Sequence, residues 1–354
     1  MLLSKVMLYF FSALIILSVL LPLIKKDHWT FRVFDYPRLQ KMTLIAILLG
    51  VWLIFFRDTE LWIDWMIMGL LFCQAAFLFY VIIPYTPLSK PMIKRVKDSG
   101  QPKLTVLVAN VYQMNQHYDK LLKLVERRNP DVVFLLETDQ KWQNGVQKIK
   151  DNYPHSIEVP KDNTYGLLFY SRLPLSESQV NYLIDEEVPS IIADVNFEGQ
   201  TIRIYGLHPT PPVPQENEHS TDRDAEILLI GKEAKKHEGP CLVIGDLNDV
   251  AWSYSTKLFL KSSELLDPRR GRGIYSTFNA NYWLLRWPLD HFFLSSHFRL
   301  IDMRVENHIG SDHFPISISV CVRSEEESEK LTADSEEKEL VEKKIQAGIN
   351  DDPR

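Results

Sequence analysis

The sequence predicts an α/β domain of stacked sheets wrapped by helices, set behind an N-terminal transmembrane helical region. Three observations carry that expectation: long apolar blocks confined to residues 1–85, many short apolar strands with few helices across residues 103–322, and a charged segment over residues 323–354.

The apolar blocks come first. Residues 6–24 carry no charge, and at ~1.5 Å rise per residue they reach about 28 Å, close to the thickness of a bilayer's hydrocarbon core. Residues 42–56 are also uncharged but reach only about 22 Å, so Lys41 and Arg57 would have to snorkel or the bilayer thin. Residues 65–84 form a third span, with Trp62, Asp64 and Trp65 at one end and Tyr80 and Tyr85 at the other, the aromatic marking expected of membrane interfaces. A cleaved signal peptide is the rival reading of the first block, yet Pro22-Leu23-Ile24-Lys25-Lys26 follows it rather than a small-x-small cleavage site. Lys25, Lys26, Arg32, Arg38 and Lys41 crowd the first loop, Arg57 stands alone in the second, and Lys90, Lys94, Arg95 and Lys97 follow the third span. The positive-inside rule then gives a multi-pass protein with its large domain in the cytoplasm.

Residues 86–102, rich in Pro, Ser, Lys and Gly, read as a linker. A globular domain over residues 103–322 opens with strand 104–108, helix 118–128 stopped by Asn129-Pro130, and strand 132–136. Further strands are expected at 167–170, 191–197, 201–207, 242–244, 290–294 and 316–320, with helices near 223–236 and 255–261. From Ser324 onward, 11 acidic and 5 basic residues with little to bury predict a disordered tail or an exposed helix.

Residues 98–323 hold 24 Lys and Arg against 30 Asp and Glu, a formal charge of -6. A protein gripping long nucleic acid by its phosphates usually needs a basic face, which this composition does not supply. The cluster Arg269, Arg270 and Arg272 reads as a solvated loop, with a local phosphate contact as the alternative. Cys73, Cys241 and Cys321 are too scattered for a disulfide framework or a zinc cluster.

Chemistry-bearing residues cluster at strand ends. Glu137 follows strand 132–136, where a carboxylate in a crevice would suit a hard divalent cation. Asn110 ends the preceding strand and would sit beside Glu137 if the two strands are neighbours. His208 ends strand 201–207 before the rigid run Pro209-Thr210-Pro211-Pro212, placed to donate to a phosphoryl oxygen or protonate a leaving alkoxide. In Gly245-Asp246-Leu247-Asn248 an extended chain would turn both polar side chains into one crevice; an Asx turn is the local alternative. Strand alternation sends Asp290 and His291 to opposite faces, so the better partner for Asp290 is His313 in Ser311-Asp312-His313.

Together these motifs resemble the endonuclease/exonuclease/phosphatase superfamily over residues 103–322, in the family's order. They are Asn110 in Ala109-Asn110-Val111, Glu137 in Leu136-Glu137-Thr138, Ser171-Arg172-Leu173-Pro174-Leu175, His208, Gly245-Asp246-Leu247-Asn248, Asp290 in Leu289-Asp290-His291, and Ser311-Asp312-His313. The resemblance implies a four-layer α/β sandwich, two packed mixed sheets flanked by helices, that hydrolyses phosphoesters with Mg2+ or Mn2+. It implies metal binding by Glu137 with support from Asn110 and Asp312, and water positioning or deprotonation by Asp246. Asn248 and His208 would bind substrate phosphate, and His313, oriented by Asp290, would act with His208 on the transition state or leaving group. Abasic-site endonucleases carry an Asp two residues after the motif Asn, where Tyr112 stands here; that departure weakens a DNA-repair reading. Residues 110–115 look instead like those of membrane-attached bacterial members.

Three functions compete on this sequence. A bilayer-anchored phosphodiesterase or phosphatase acting on lipid head groups or other small phosphoesters is favoured over a nuclease by the apolar spans and acidic domain. A non-catalytic membrane scaffold would be expected to lose some of Glu137, Asp246, Asn248, Asp290 and His313, and all are present. No protein partner is read from the sequence.

Overall fold

The computed structural model describes residues 2–56, 61–323 and 330–350. Its N-terminal part comprises α1 (Leu2–Leu20), the short α2 (Trp29–Arg32), α3 (Arg38–Phe56) and α4 (Trp62–Ile82). Three segments, Leu3–Ile24, Arg38–Phe56 and Trp62–Tyr85, are helical, long and apolar enough to cross a membrane. They pack through Ile15, Ile45, Trp52, Leu71 and Leu78, and buried donors inside the bundle find acceptors. Trp52 donates its indole N–H to Ser12 Oγ at 3.1 Å, and Gln74 Nε2 donates to the Ile16 carbonyl at 3.0 Å, as buried donors require.

The loop between α1 and α3 lies against the α/β domain. Trp29 N donates to Glu218 O and Ser220 N to Asp27 O, both at 2.8 Å, while Gly271 N reaches Pro84 O beyond α4 at 2.7 Å. This loop and the domain therefore share one end of the helical bundle.

The domain contains β1 (Leu104–Asn110), α5 (Tyr118–Arg128), β2 (Val132–Leu136), α6 (Gln140–Gly145), β3 (His155–Val159), β4 (Leu167–Ser171), β5 (Leu175–Asn181), β6 (Ser190–Phe197) and β7 (Gln200–Leu207). After these come α7 (Thr221–Lys236), β8 (Cys241–Asp246), α8 (Tyr254–Ser263), β9 (Asp290–Leu294), β10 (Phe298–Val305), β11 (Ile316–Val322) and α9 (Ser335–Asn350). One mixed sheet runs β10-β11-β1-β2-β4-β3 and the other β5-β6-β7-β8-β9. Apolar faces of both sheets meet in a core including Val106, Phe134, Phe169, Ile204, Ile244 and Phe292, and helices cover the outer faces, which completes the expected four-layer sandwich.

Strand direction decides where chemistry can gather. β1 and β2 are parallel, as are β7 and β8, whereas β9 and β11 run antiparallel to their neighbours β8 and β1. The C-terminal ends of four central strands and the N-terminal ends of two others thus share one rim. Gly245 permits the closest approach there: at φ 137°, a Cβ would lie 1.9 Å from Leu207 O of the paired strand, a place only glycine can occupy.

Strands β3, β5 and β10, which the apolar pattern missed, all lie at sheet edges. Edge strands carry polar residues that discourage pairing with other chains, so their alternation is weak. The segment expected to be a linker is docked: Ile93 is buried in the main core and Val96 N donates to Leu300 O beside β10. The tail forms a helix over its described part, one of the two expected outcomes, and one face of it is docked rather than free. Residues 324–329 and 351–354 lie outside the described residues, but α9 buries Val341 and Ile345 against the layer containing α7 and α8. Its charges concealed an i, i+4 apolar stripe. Lys344, on the same helix, donates to Asp27 Oδ1 at 2.8 Å and Asp224 Oδ2 at 3.0 Å, which ties the membrane-side loop, α7 and α9 together.

Candidate active site

Asn110 and Glu137 leave adjacent parallel strands, and their side chains meet: Asn110 Nδ2 donates to Glu137 Oε1 at 2.7 Å and to Asp246 Oδ2 at 3.1 Å. One amide thereby joins a carboxylate of the first sheet to one of the second. Glu137 has φ 57°, a left-handed conformation costing a non-glycine residue roughly 1–3 kcal/mol. That turn ends the strand at Leu136 and redirects the chain at the sheet rim. Burial pushes the Glu137 carboxyl above its ordinary range; Asn110 and His313 oppose this shift and Asp312 adds to it.

Asp246 pairs in register with Asp290 across β8 and β9. Between them and the β11 loop, His313 is held on both sides. Its Nδ1 lies 2.8 Å from Asp290 Oδ2 and its Nε2 lies 3.4 Å from Asp246 Oδ2. The backbone before β11 is fixed by Ser311 Oγ, which accepts from His313 N at 3.0 Å and donates to Asn110 O at 2.9 Å. Burial alone would lower His313, but Asp290 and Asp246 push it up to about 10, so the dyad holds an imidazolium at neutral pH. Asp246 moves up from the carboxylate range through burial, with His313 pulling against that shift and Asp290 reinforcing it.

His208 leaves β7 and places Nε2 4.0 Å from Asp246 Oδ2. Burial and the neighbouring His313 charge lower it to about 4, leaving a neutral ring. Its Nδ1 is buried with no hydrogen-bond partner among the described residues. Asn248 does not continue an extended chain as expected. Its φ is 51°, its backbone N–H donates to Asp246 Oδ1 at 2.9 Å, and its Nδ2 donates to Pro209 O at 2.9 Å. The Asx turn and the site residue are the same feature, because the turn positions Asn248 beside the His208 loop. Asp312 contributes its carboxylate to the Glu137 side of the cluster, where its charge acts on Glu137. All eight residues singled out in the sequence therefore belong to one rim.

Asp246, Asp290 and His313 can each offer a ligand atom, all within 4.8 Å of one another. Glu137 and Asp312 add oxygen ligands nearby. Among the described residues no Lys or Arg pairs with Glu137, Asp246, Asp290 or Asp312. The His313 imidazolium is the one cation paired with Asp246 and Asp290 among the described residues; the carboxylates on the Glu137 and Asp312 side have no such partner and fit a divalent metal ion, which His313 could itself ligate only after losing a proton.

The Arg cluster is a correction. Arg269 is fully buried, bonded to both oxygens of Asp267 and donating from Nη2 to His291 Nδ1 at 2.8 Å; Arg272 donates to Pro268 O at 3.1 Å. Both head groups are turned to internal partners, so neither lies in a solvated loop or reaches a phosphate; Arg270, the third of the cluster, is half-buried beside the Tyr85 ring and falls outside this correction. His291 in turn donates from Nε2 to Asp249 O at 2.8 Å, bracing the loop after Asp246. The sequence reading also missed Arg223, whose Nη1 donates to Asn248 O at 2.8 Å. An Arg in an amphipathic-looking helix gives no local sign that it is buried.

A carboxylate cluster that fits a metal, an Asp-His dyad and the Asn248 amide meet at the rim of two stacked sheets, an arrangement suited to phosphoester hydrolysis. The family model described as "Endonuclease/Exonuclease/phosphatase family" matches residues 107–313, more than half of the chain, and the chain belongs to that family. It is a metal-dependent phosphoesterase in which Asp246, Asp290 and His313 form a buried candidate metal site. Two structures of D. rerio TDP2, one humanized by 14 mutations and one complexed with single strand DNA product, each show 18% identity and a TM-score of 0.52. Each covers 62% of this chain and 99% of its own. An endonuclease/exonuclease/phosphatase family protein from Bacteroides thetaiotaomicron matches with 18% identity and a TM-score of 0.52, covering 64% of this chain and 98% of its own. At these identities the likeness concerns the fold. No curated protein matches the chain.

Proposed function

We propose that the protein is a membrane-anchored, Mg2+- or Mn2+-dependent hydrolase of lipid head groups or similar small phosphoesters. One observation carries this reading: the membrane-side segments form part of the wall beside the active-site rim. Tyr36 OH donates to Asn248 O at 2.8 Å, and Gln40 Nε2, in the first turn of α3, donates to Leu284 O at 2.8 Å. Leu284 belongs to an exposed apolar turn in which Tyr282 is 62% and Trp283 76% accessible. The base of that turn reaches the site, for Ala280 N donates to Asp312 O at 2.6 Å and the Phe278 ring lies 4.8 Å from that of His313. Trp287 packs edge-on against Tyr36, whereas Tyr282 and Trp283 stay exposed. Aromatic side chains in such a place suit the interfacial layer of a bilayer.

In the mechanism we infer, Glu137 binds the metal with Asn110 and Asp312 supporting it. A divalent ion held there would supply charge stabilisation at the phosphoryl group. Asp246 positions or deprotonates the attacking water, and Asn248 and His208 hold phosphate oxygens. His313, fixed by Asp290, presents an imidazolium to the pentacovalent transition state or the leaving oxygen. The catalytic unit spans residues 103–322, and the basic residues of the first loop orient it toward the cytoplasm; cysteine-accessibility labelling from either side of sealed vesicles checks that orientation.

The decisive assay presents the full chain, reconstituted in vesicles, with phospholipid, sphingomyelin, inositol phosphate, plasmid DNA and abasic DNA. Mg2+ and Mn2+ are compared with EDTA. The expected result is metal-dependent cleavage with the highest kcat/KM on a lipid or small phosphoester. A higher value on either DNA would replace this reading with a nuclease.

A further inference from the structure

A second cavity, of about 340 Å³, opens where the domain-side ends of α1 and α4 meet α8. Its volume is in the range of small-molecule sites. Leu23, Phe77, Tyr80 and Val81 line one part, continuous with the apolar surface of α4, while Lys25, Lys257 and Arg270 line another. None of these three cations has a carboxylate partner among the described residues. Lys25 Nζ instead sits 4.6 Å from the centre of the Tyr254 ring and the Arg270 guanidinium 5.9 Å from that of Tyr85. Partial burial, with Lys261 and Arg270 nearby, lowers the Lys257 ammonium against the opposing charge of Glu337, which is itself paired with Lys261. The remaining charges at the cavity, Asp35 and Arg38, are paired with each other.

We propose that this cavity binds an anionic phospholipid, with its phosphate among Lys25, Lys257 and Arg270 and the start of an acyl chain along Phe77, Tyr80 and Val81. The cationic part recognises phosphate, and the apolar part selects an amphiphile over a free anion. Glu137, Asp246 and His313 do not line the cavity, so the bound lipid is distinct from the substrate. It would still brace the active-site loop: Trp252 is part of the lining and donates from Nε1 to Asp35 O at 2.9 Å.

The test is native mass spectrometry of the full chain released from nanodiscs containing equal amounts of phosphatidylglycerol and phosphatidylcholine. The wild type is expected to retain phosphatidylglycerol preferentially. Joint Lys25→Gln, Lys257→Gln and Arg270→Gln substitution should weaken that preference, by roughly fivefold per cation removed. A variant combining Lys25→Arg, Lys257→Arg and Arg270→Lys should keep it, and the exposed single change Lys25→Gln should lower it without disturbing the fold. Equal retention of the two lipids by the wild type, or an unchanged preference in the triple Gln variant, overturns the proposal. Displacement of the lipid by millimolar inorganic phosphate would also overturn it, in favour of a soluble anion.

Discussion

Tyr36 in the loop between α1 and α3 donates its hydroxyl to the carbonyl of Asn248, 212 positions away in sequence, at 2.8 Å. Arg223 Nη1 reaches the same oxygen at 2.8 Å. The loop between α1 and α3 and helix α7 therefore share one acceptor in the active-site turn. Because Arg223 continues to satisfy that oxygen, Tyr36→Phe should cost only about 1 kcal/mol, visible as a small drop in Tm. Activity on vesicle-borne lipid should fall more than activity on a soluble ester; equal losses would show that the contact does not align the site with the membrane.

The dyad gives a pH prediction. His313 is held up to about 10 against the opposing effect of burial, chiefly by Asp290. Removing that charge in Asp290→Asn lowers the pH above which the imidazolium is lost. The alkaline limb of kcat/KM should therefore move to lower pH, while the acid limb changes less. An unmoved alkaline limb would assign that ionisation to another group.

Asn110 donates to both Glu137 and Asp246, at 2.7 and 3.1 Å. Partners that orient metal ligands typically contribute roughly 10–100-fold to metal affinity. Asn110→Ala should accordingly raise the Mn2+ concentration giving half-maximal activity by about that factor, with saturating metal restoring part of the rate. Isothermal titration with Mn2+ measures the same loss independently of turnover.

Glu226 on α7 is buried, with one carboxyl oxygen lacking a partner. Burial, reinforced by Asp185 and Asp222, pushes it from 4.5 up to about 8. The folded state thus keeps a proton that the unfolded state releases. Stability should fall by about 1.4 kcal/mol per pH unit across the window between those two values and level off above it. Glu226→Gln should remove this component, so the stability difference between variant and wild type should grow with pH over that interval in urea titrations.

Gly245→Ala tests the close approach of β7 and β8. The added Cβ would meet Leu207 O at 1.9 Å with φ at 137°. Conformational strain alone costs roughly 1–3 kcal/mol, and the displaced residue lies between His208 and Asp246. Loss of both Tm and activity is expected; a fully active variant of unchanged Tm would contradict the observed strand packing.

Much of this protein was legible along the chain. Continuous apolar runs marked the three long helices and the central strands because residues buried on both faces must be apolar throughout. The site was legible because Asn110, Glu137, His208, Asp246 and Asp290 stand at strand ends, where a periodic pattern gives way to a polar side chain. Edge strands such as β5 and the helix α9 were hidden because partial exposure permits the polar residues that blur periodicity.

Sequence alone determined which segments are apolar enough for membrane or core and which polar residues interrupt them. Tertiary structure decided which interruptions meet. Parallel pairing of β1 with β2 and β7 with β8 brought their ends to one rim, and burial there shifted His313 and Asp246 in ways no local pattern encodes. It also turned Arg269 inward onto Asp267 and His291 and brought Tyr36 to Asn248. Such contacts depend on long-range packing, where the cost of burying a charge or donor is met only by a partner distant in the chain.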